Sequence, residues 1–196
     1  MPQVTFTGRI HIVSAISQVK SAVTALRKFP VVGFDTETRP CFRRGERHPV
    51  ALLQLSTPSD AFLFRLNKTG VTAPLKQFLE DETCVKVGLS TTDDFHQIAR
   101  LCDCQPAGFV ELQQLVKEYS ISDMSLQKIY AILFQRKISK GQQLTNWEAL
   151  QLTEAQQQYA AIDAWACLQI YEYLQSGAFV PQQSPYWHEL VEEENQ

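Results

Sequence analysis

The sequence lacks the long apolar runs that membrane segments require. No stretch of its 196 residues approaches about 18 apolar residues in succession, so a transmembrane helix is not predicted. The chain begins Met1-Pro2-Gln3 and soon turns polar, without the apolar core of a signal peptide. We therefore expect a cytoplasmic protein that has no membrane partner.

Cysteine is too irregularly spaced for a disulfide or zinc framework. The five cysteines are an odd number, and Cys102 and Cys104 form the only close pair. No second pair and no histidine cluster completes four zinc ligands around them. The favoured interpretation is a set of reduced thiols in a cytoplasmic protein.

An excess of positive charge is also missing. The net charge is −3, so overall charge provides no argument for nucleic-acid binding. Two stretches are nevertheless basic: residues 39–48 (RPCFRRGERH), and the segment that holds Arg136, Lys137 and Lys140. Considered alone, both stretches are better explained as solvated loops.

Repeats, low-complexity tracts and linkers are absent as well. A length of 196 residues suits a single domain spanning 1–196. Hydrophobic residues make up 44% of the chain, which is enough for a buried core. Strands dominate the first half and helices the second. This order predicts an α/β fold, with a central mixed β-sheet flanked by helices.

Local patterns predict the individual elements. The predicted strands are 30–38, 50–56, 61–66 and 84–88, with a hairpin turn at 57–60. The predicted helices are 14–28, 72–80, 91–101, 109–118, 124–135 and 154–174. Ser90 or Thr91 is expected to cap the helix at 91–101, and Thr153 with Gln156 fits a capping box for the last helix.

Two carboxylates lie where the first predicted strand ends. Asp35 and Glu37 are two residues apart, and the period of a strand points both side chains to one face. Two like charges side by side repel each other unless a cation lies between them. Most such pairs are simply solvated strand ends, so this pair alone does not establish a metal site.

A third carboxylate lies on the predicted helix 154–174. Asp163 belongs to an otherwise apolar stripe that faces inward, and a carboxylate in a core is costly unless it is paired or metal-bound. Tyr159 lies one turn earlier on the same face. For the helix alone, a buried aspartate hydrogen-bonded to a tyrosine or to a helix cap is an equally good interpretation.

The turn after Gly88 supplies a fourth acid. Either Asp93 or Asp94 would be stabilised at a helix N-terminus, so capping is an alternative role. Four converging carboxylates would suit two divalent cations, Mg²⁺ or Mn²⁺, bound through oxygen. Two such ions stabilise the attacking and leaving oxygens of a phosphoryl displacement. The hydroxyl of Tyr159 is a poor base, and we expect it to position the attacking water.

Taken together, these motifs resemble the DEDD superfamily of 3′→5′ exonucleases. The tyrosine four residues before the final aspartate resembles the tyrosine-bearing branch, and two longer segments resemble the ribonuclease D and Werner-syndrome exonuclease group. The matching segments are FDTE at 34–37, VGLSTTDDF at 87–95, YAAIDA at 159–164, PVALLQLS at 49–56 and TNWEALQLTEAQQQYAAIDAWA at 145–166. The resemblance covers roughly residues 30–175.

The resemblance implies a ribonuclease-H-like fold. It also implies metal-dependent hydrolysis of DNA or RNA from the 3′ end, with release of nucleoside 5′-monophosphates. The middle motif of the family places its aspartate six residues after the glycine that ends the strand, and this spacing selects Asp94 over Asp93. Leu89 and Ser90 depart from the His-Asn that often follows this glycine, but the carboxylate is kept.

The same resemblance implies a role for each site residue. Asp35 would bridge the two metals, while Glu37 and Asp163 would complete the tighter site together with Tyr159. Asp94 would hold the second ion. A non-catalytic nucleic-acid-binding module is the alternative; a lost metal ligand would favour it, and none is lost. A structural or protein-interaction domain is a third possibility.

The expected partner is a nucleic acid with a single-stranded or frayed 3′ end, either DNA or RNA. The residues expected to contact it are Thr36, Thr38, Phe42, Arg43, Arg44, Lys140 and Asn146. Trp147 is instead expected to pack the last helix against the sheet. Since only about 20 residues follow that helix, we expect a stand-alone catalytic domain. Its basic stretches would then contact the phosphate backbone.

Overall fold

A mixed six-stranded sheet forms the centre of the computed structural model, which describes residues 1–184. The strands are β1 (Arg9–Val13), β2 (Val31–Thr38), β3 (Val50–Ser56), β4 (Asp60–Arg65), β5 (Val85–Gly88) and β6 (Phe109–Glu111). Their order across the sheet is β1-β4-β3-β2-β5-β6. β3 runs antiparallel to both neighbours and the other pairs are parallel, which confirms the predicted mixed sheet.

Helices cover both faces of this sheet. They are α1 (Ile16–Leu26), α2 (Leu66–Thr69), α3 (Ala73–Leu79), α4 (Thr91–Ala99), α5 (Leu112–Leu115), α6 (Leu126–Phe134) and α7 (Glu154–Gln175), with 3₁₀ turns at Val116–Tyr119 and Pro181–Gln183. α1 and α3 pack on one face, and α7 with α6 on the other. Within residues 1–184, no helix has the length and apolarity needed to cross a membrane.

Two interior strands of the sheet, β3 and β4, are buried over their whole length. Every residue of β3 and β4 is buried, as expected for strands covered on both faces. The turn between them forms as predicted, because the Thr57 hydroxyl accepts a hydrogen bond of 3.0 Å from the Asp60 amide. β3 of this hairpin pairs with β2, the strand that contains Asp35 and Glu37.

α7 lies directly against the sheet. A Cβ atom at Gly33 of β2 would come within 1.8 Å of the Ala164 carbonyl oxygen, so only glycine permits this approach. The predicted capping box between Thr153 and Gln156 forms at the start of the helix. The predicted single inward stripe is too narrow, because residues 159–164 are all buried. The sheet, α6 and the loop before α7 cover these residues from several sides.

Two short edge strands depart from the prediction. The predicted helix 109–118 is wrong at its start, because Phe109–Glu111 forms β6 and pairs with β5. The helical turns begin only at Leu112. β1 was not predicted, and it pairs with β4. Both strands form through pairing with residues distant in sequence, which outweighs local propensity.

Candidate active site

Three carboxylates meet between the sheet and α7. Asp35 and Glu37 project from β2 toward the helix, and Asp163 projects from α7 toward them. One oxygen from each side chain lies within 4.8 Å of the others. We call Asp35, Glu37 and Asp163 the carboxylate cluster. The two-residue spacing in β2 thus has the consequence expected of a strand, with both acids on one face.

Without a cation, the carboxylate cluster resists ionisation. Burial, and then repulsion by Asp163 and Glu37, raises the pKa of Asp35 well above its usual range. Burial and repulsion by Asp163 raise the pKa of Glu37 to about 9. Burial raises the pKa of Asp163 to about 7, although the Tyr159 hydroxyl favours its charged form. A divalent cation would offset both the burial and the repulsion.

One oxygen of the cluster is conspicuously unpaired. Oδ1 of Asp163 is buried and has no hydrogen-bond partner within residues 1–184. Buried polar atoms are almost always paired, and an unpaired carboxylate oxygen beside two other carboxylates is a suitable ligand for a hard cation. The residues of the cluster therefore fit a Mg²⁺ or Mn²⁺ ion.

Asp94 lies beside the carboxylate cluster but is not one of the three acids whose oxygens lie within 4.8 Å of one another. The Thr36 hydroxyl donates a hydrogen bond to Asp94 Oδ1, so Asp94 is tied to β2 between the two acids of that strand. Burial raises its pKa to about 7 despite this hydrogen bond. Asp93 is exposed, so of the two neighbouring acids it is Asp94 that faces the site.

Glu111 performs the capping that was predicted for other residues. Its carboxylate accepts hydrogen bonds from the backbone amides of Ser90, at 2.9 Å, and Thr91, at 2.7 Å. Ser90 makes no side-chain cap and adopts a left-handed conformation with φ of 60°, so the predicted caps are wrong. Glu111 was missed because it lies in the segment predicted as a helix. Through this cap it orients the first turn of α4, which carries Asp94.

Tyr159 is held against the cluster by the loop before α7. Its ring lies 5.9 Å from that of Trp147, and Trp147 is completely buried, as predicted for a packing residue. Burial, and then the nearby Asp163, raises the pKa of Tyr159 well above its usual range. Tyr159 therefore keeps its proton and can donate a hydrogen bond.

Polar side chains at the end of β4 and in α2 hold that loop in place through hydrogen bonds to its backbone. Arg65 donates to the Ala149 carbonyl, and Lys68 donates to the Leu150 carbonyl at 2.7 Å. Glu148, in the same loop, pairs with Arg39 at 3.4 Å. The basic stretch 39–48 is thereby attached to the loop that positions Tyr159.

The carboxylate cluster opens into a cavity of about 290 Å³. Asp35, Thr36, Glu37, Tyr159 and Asp163 line one part of it. The remaining lining residues are Leu89, Ser125, Leu126, Gln127, Lys140, Gln143 and Cys167. The structure therefore brings the positively charged side chain of Lys140 and several hydrogen-bonding groups into the same cavity as the acids. Ser125, Gln127 and Gln143 were missed, because no spacing in the sequence links them to the acids.

Of the predicted substrate-binding residues, Thr36 and Lys140 line the cavity. The others do not. Phe42, Arg43 and Arg44 lie on the exposed basic loop, where Phe42 is 79% exposed. Thr38 is half-buried at the end of β2. The side-chain oxygen of Asn146 accepts a hydrogen bond from the Glu148 amide at 3.0 Å, within its own loop. Contact of these five residues with substrate stays a prediction.

Comparison with known proteins agrees with this architecture. The family model described as 3'-5' exonuclease matches residues 10–177. The chain belongs to this 3′-5′ exonuclease family. The mouse bifunctional 3'-5' exonuclease/ATP-dependent helicase WRN is 33% identical over 150 residues, which cover 74% of this chain and 11% of that protein. The chain thus corresponds to a small part of that relative.

Solved structures of exonucleases share the fold. The Nibbler EXO domain of Aedes aegypti superposes with a TM-score of 0.76 at 20% identity, covering 85% of this chain and 87% of that one. Trypanosoma brucei RNase D in complex with RNA U12 superposes with a TM-score of 0.75 at 18% identity, covering 86% of this chain and 63% of that one. The predicted ribonuclease-H-like fold is confirmed.

Proposed function

We propose that this exonuclease domain is catalytically active and requires a metal. It would hydrolyse DNA or RNA from the 3′ end and release nucleoside 5′-monophosphates. The observation that carries the proposal is the carboxylate cluster, whose three acids offer oxygens within 4.8 Å of one another. One of those oxygens has no partner within the described residues. Burying three carboxylates together is costly unless a cation offsets their charge.

Asp35, Glu37 and Asp163 would hold one divalent cation. Asp94 would contribute to a second site, with Thr36 fixing the orientation of its carboxylate. Bound Mg²⁺ or Mn²⁺ would supply an acidified water near neutral pH and neutralise charge on the reacting phosphate. The carboxyl groups of the cluster must lose their protons before they can bind the ion.

Tyr159 would orient the attacking water. Its hydroxyl stays protonated beside Asp163, so it acts as a hydrogen-bond donor and not as the base. Lys140 lines the same cavity and would attract the phosphate of the terminal nucleotide. The exposed arginines of the stretch 39–48 would contact the phosphates further along the strand.

The proposed partner is a nucleic acid with a single-stranded or frayed 3′ end. The RNA complex of the structurally similar RNase D supports RNA as one substrate class. Proteins distinguish RNA from DNA by contacts to the 2′-hydroxyl, so matched DNA and RNA strands decide between them. Cytoplasmic location and a single domain over residues 1–196 stay predictions.

Cleavage of 5′-labelled single-stranded DNA and RNA tests the proposal. We expect a ladder of products shortened from the 3′ end with Mg²⁺ or Mn²⁺, and none with EDTA. Chromatography of the released products should show nucleoside 5′-monophosphates. A protein that binds these strands but leaves them intact with either metal would instead be a non-catalytic nucleic-acid-binding module.

A further inference from the structure

Gln54 is a fully buried polar residue that the folded chain leaves unused. It lies in the middle of β3 with no exposed surface. Neither its Nε2 nor its Oε1 has a hydrogen-bond partner within residues 1–184. Burying an amide without partners opposes folding, so the residue does not serve the stability of the metal-free protein.

The sheet places Gln54 beside the carboxylate cluster. In the antiparallel pair of β2 and β3, Gln54 lies directly opposite Asp35. Opposite residues of such a pair project to the same face, with their Cβ atoms about 4.5–5.5 Å apart. This face is the one that α7 covers, because Gly33, two residues before Asp35, touches Ala164 of the helix.

The other neighbours of Gln54 on this face of the sheet make no hydrogen bond with its side chain. Leu52 precedes it on the same face of β3, and Leu63 lies opposite it on β4. The hydroxyl of Ser56, the next residue on this face, already donates to the Thr57 and Asp60 carbonyls. Among the neighbours of Gln54 within the sheet, Asp35 is therefore the one that offers an acidic acceptor to the amide.

We propose that Gln54 is a positioning residue, whose side-chain amide donates a hydrogen bond to the Asp35 carboxylate when the cluster binds a divalent cation. This inference rests on the proposed metal-dependent function. Side chains that bind metals are usually oriented by a second hydrogen bond from the protein. Because Gln54 lies directly opposite Asp35, β3 is the natural source of that bond.

The chemistry of glutamine suits this role. Its amide provides two N–H donors without charge. A glutamate in its place would add a further negative charge to the cluster, and a lysine would compete with the cation. A side chain that only filled space would be leucine or methionine, like the apolar residues around it.

The decisive variant is Gln54→Met, which keeps the length of the side chain and removes both polar atoms. Thr72→Val is the matched control, because Thr72 Oγ1 is also buried without a partner within the described residues. Thr72 precedes α3 and does not line the cavity of the carboxylate cluster. Both variants therefore remove an unsatisfied polar group, one beside the proposed metal site and one away from it.

Two measurements separate a positioning role from a structural one. Titration calorimetry with Mn²⁺ should show that Gln54→Met weakens binding roughly 10- to 100-fold, while Thr72→Val leaves the affinity unchanged. Thermal unfolding in EDTA should show that Gln54→Met is at least as stable as the wild type. The Mn²⁺ concentration that gives half-maximal cleavage should rise in the same proportion as the dissociation constant.

Each contrary result has a distinct meaning. Wild-type affinity for Mn²⁺ in Gln54→Met would overturn the positioning role and leave the proposed function intact. A marked loss of stability in EDTA would assign Gln54 to the fold and also overturn the role. A wild-type protein that binds no Mn²⁺ would overturn both this inference and the proposed function. If Gln54→Met does not fold, Gln54→Leu provides the same test with a side chain already common in β3.

Discussion

Two buried acid sites of this molecule have opposite electrostatic characters. Asp60, at the start of β4, and Asp163, in α7, are 9% and 4% exposed. Burial opposes ionisation of Asp60, but hydrogen bonds from His11, Arg9 and Ser59 outweigh it and lower the pKa to about 2. The pKa of Asp163 is instead raised to about 7 by burial.

The difference lies in how far hydrogen-bond partners offset the effect of burial on each pKa. Arg9 reaches Asp60 at 2.9 Å and His11 at 2.6 Å, so the charge of that acid is satisfied by the protein itself. Asp163 has two other acids and a tyrosine as neighbours. A buried acid with hydrogen-bonding cationic partners stabilises a fold, whereas a buried acid without them calls for a bound cation.

The largest effect is expected from Asp35→Asn. This change removes one negative charge from the carboxylate cluster, and we expect cleavage to fall at least about a thousandfold, which is about 4 kcal/mol of transition-state stabilisation. Labelled-oligonucleotide assays with Mn²⁺ measure the loss. Because the substitution also removes repulsion, stability in EDTA should not fall. Retained cleavage would show that Asp35 does not hold the metal.

Tyr159→Phe should have the next largest effect. Loss of the hydroxyl removes the group that orients the attacking water, so kcat should fall about 10- to 100-fold with KM nearly unchanged. The Phe ring preserves the packing against Trp147 and serves as its own structural control. A rise in KM without a change in kcat would assign the hydroxyl to substrate binding.

The metal-free protein should lose stability as the pH rises. The pKa of Glu37 in the folded state is about 9, far above its unfolded value, so the folded state binds more protons between about pH 4.5 and 9. Stability therefore declines across this window. Denaturant unfolding in EDTA at pH 6 and pH 8.5 measures the slope, and saturating Mn²⁺ should flatten it. A pH-independent stability in EDTA would contradict the raised pKa.

The smallest effect is expected at the satisfied site. Asp60→Asn should lower the free energy of unfolding by about 1–2 kcal/mol at neutral pH, because Arg9 and His11 lose a charged partner. Since the folded-state pKa is about 2, this contribution persists above the unfolded value and disappears as the pH falls toward 2. Cleavage should be unchanged. Loss of activity in a folded Asp60→Asn protein would show that the two sites are coupled.

The parts of the molecule that were predictable are those with local signals. The strands β2 to β5 and the helix α7 have periodic or continuous apolar patterns. Asp35 with Glu37, and Tyr159 with Asp163, are close in sequence and therefore share a face by the geometry of a strand or a helix. These short-range relations placed each pair on one face, and the resemblance to the exonuclease motifs was needed to join the pairs and Asp94 into one predicted site.

The remaining parts depend on contacts between distant segments. β6 is three residues long and exists because β5 pairs with it. Glu111 caps α4 from a position 20 residues beyond Thr91. The sequence of β3 alone gives Gln54 no special role, and only the pairing with β2 places it opposite Asp35. No local pattern contains this information.

The contact between Gly33 and Ala164 has a consequence for ion size. Because no side chain separates β2 from α7 at Gly33, the backbone of the helix packs directly against the backbone of the strand. Asp163 is thereby held close to Asp35. An alanine at position 33 would raise the helix and widen the space between the acids. Mg²⁺ takes ligands at about 2.0–2.1 Å, and Ca²⁺ at about 2.3–2.6 Å. Gly33→Ala is therefore expected to weaken binding of Mg²⁺ at the proposed metal site more than binding of Ca²⁺.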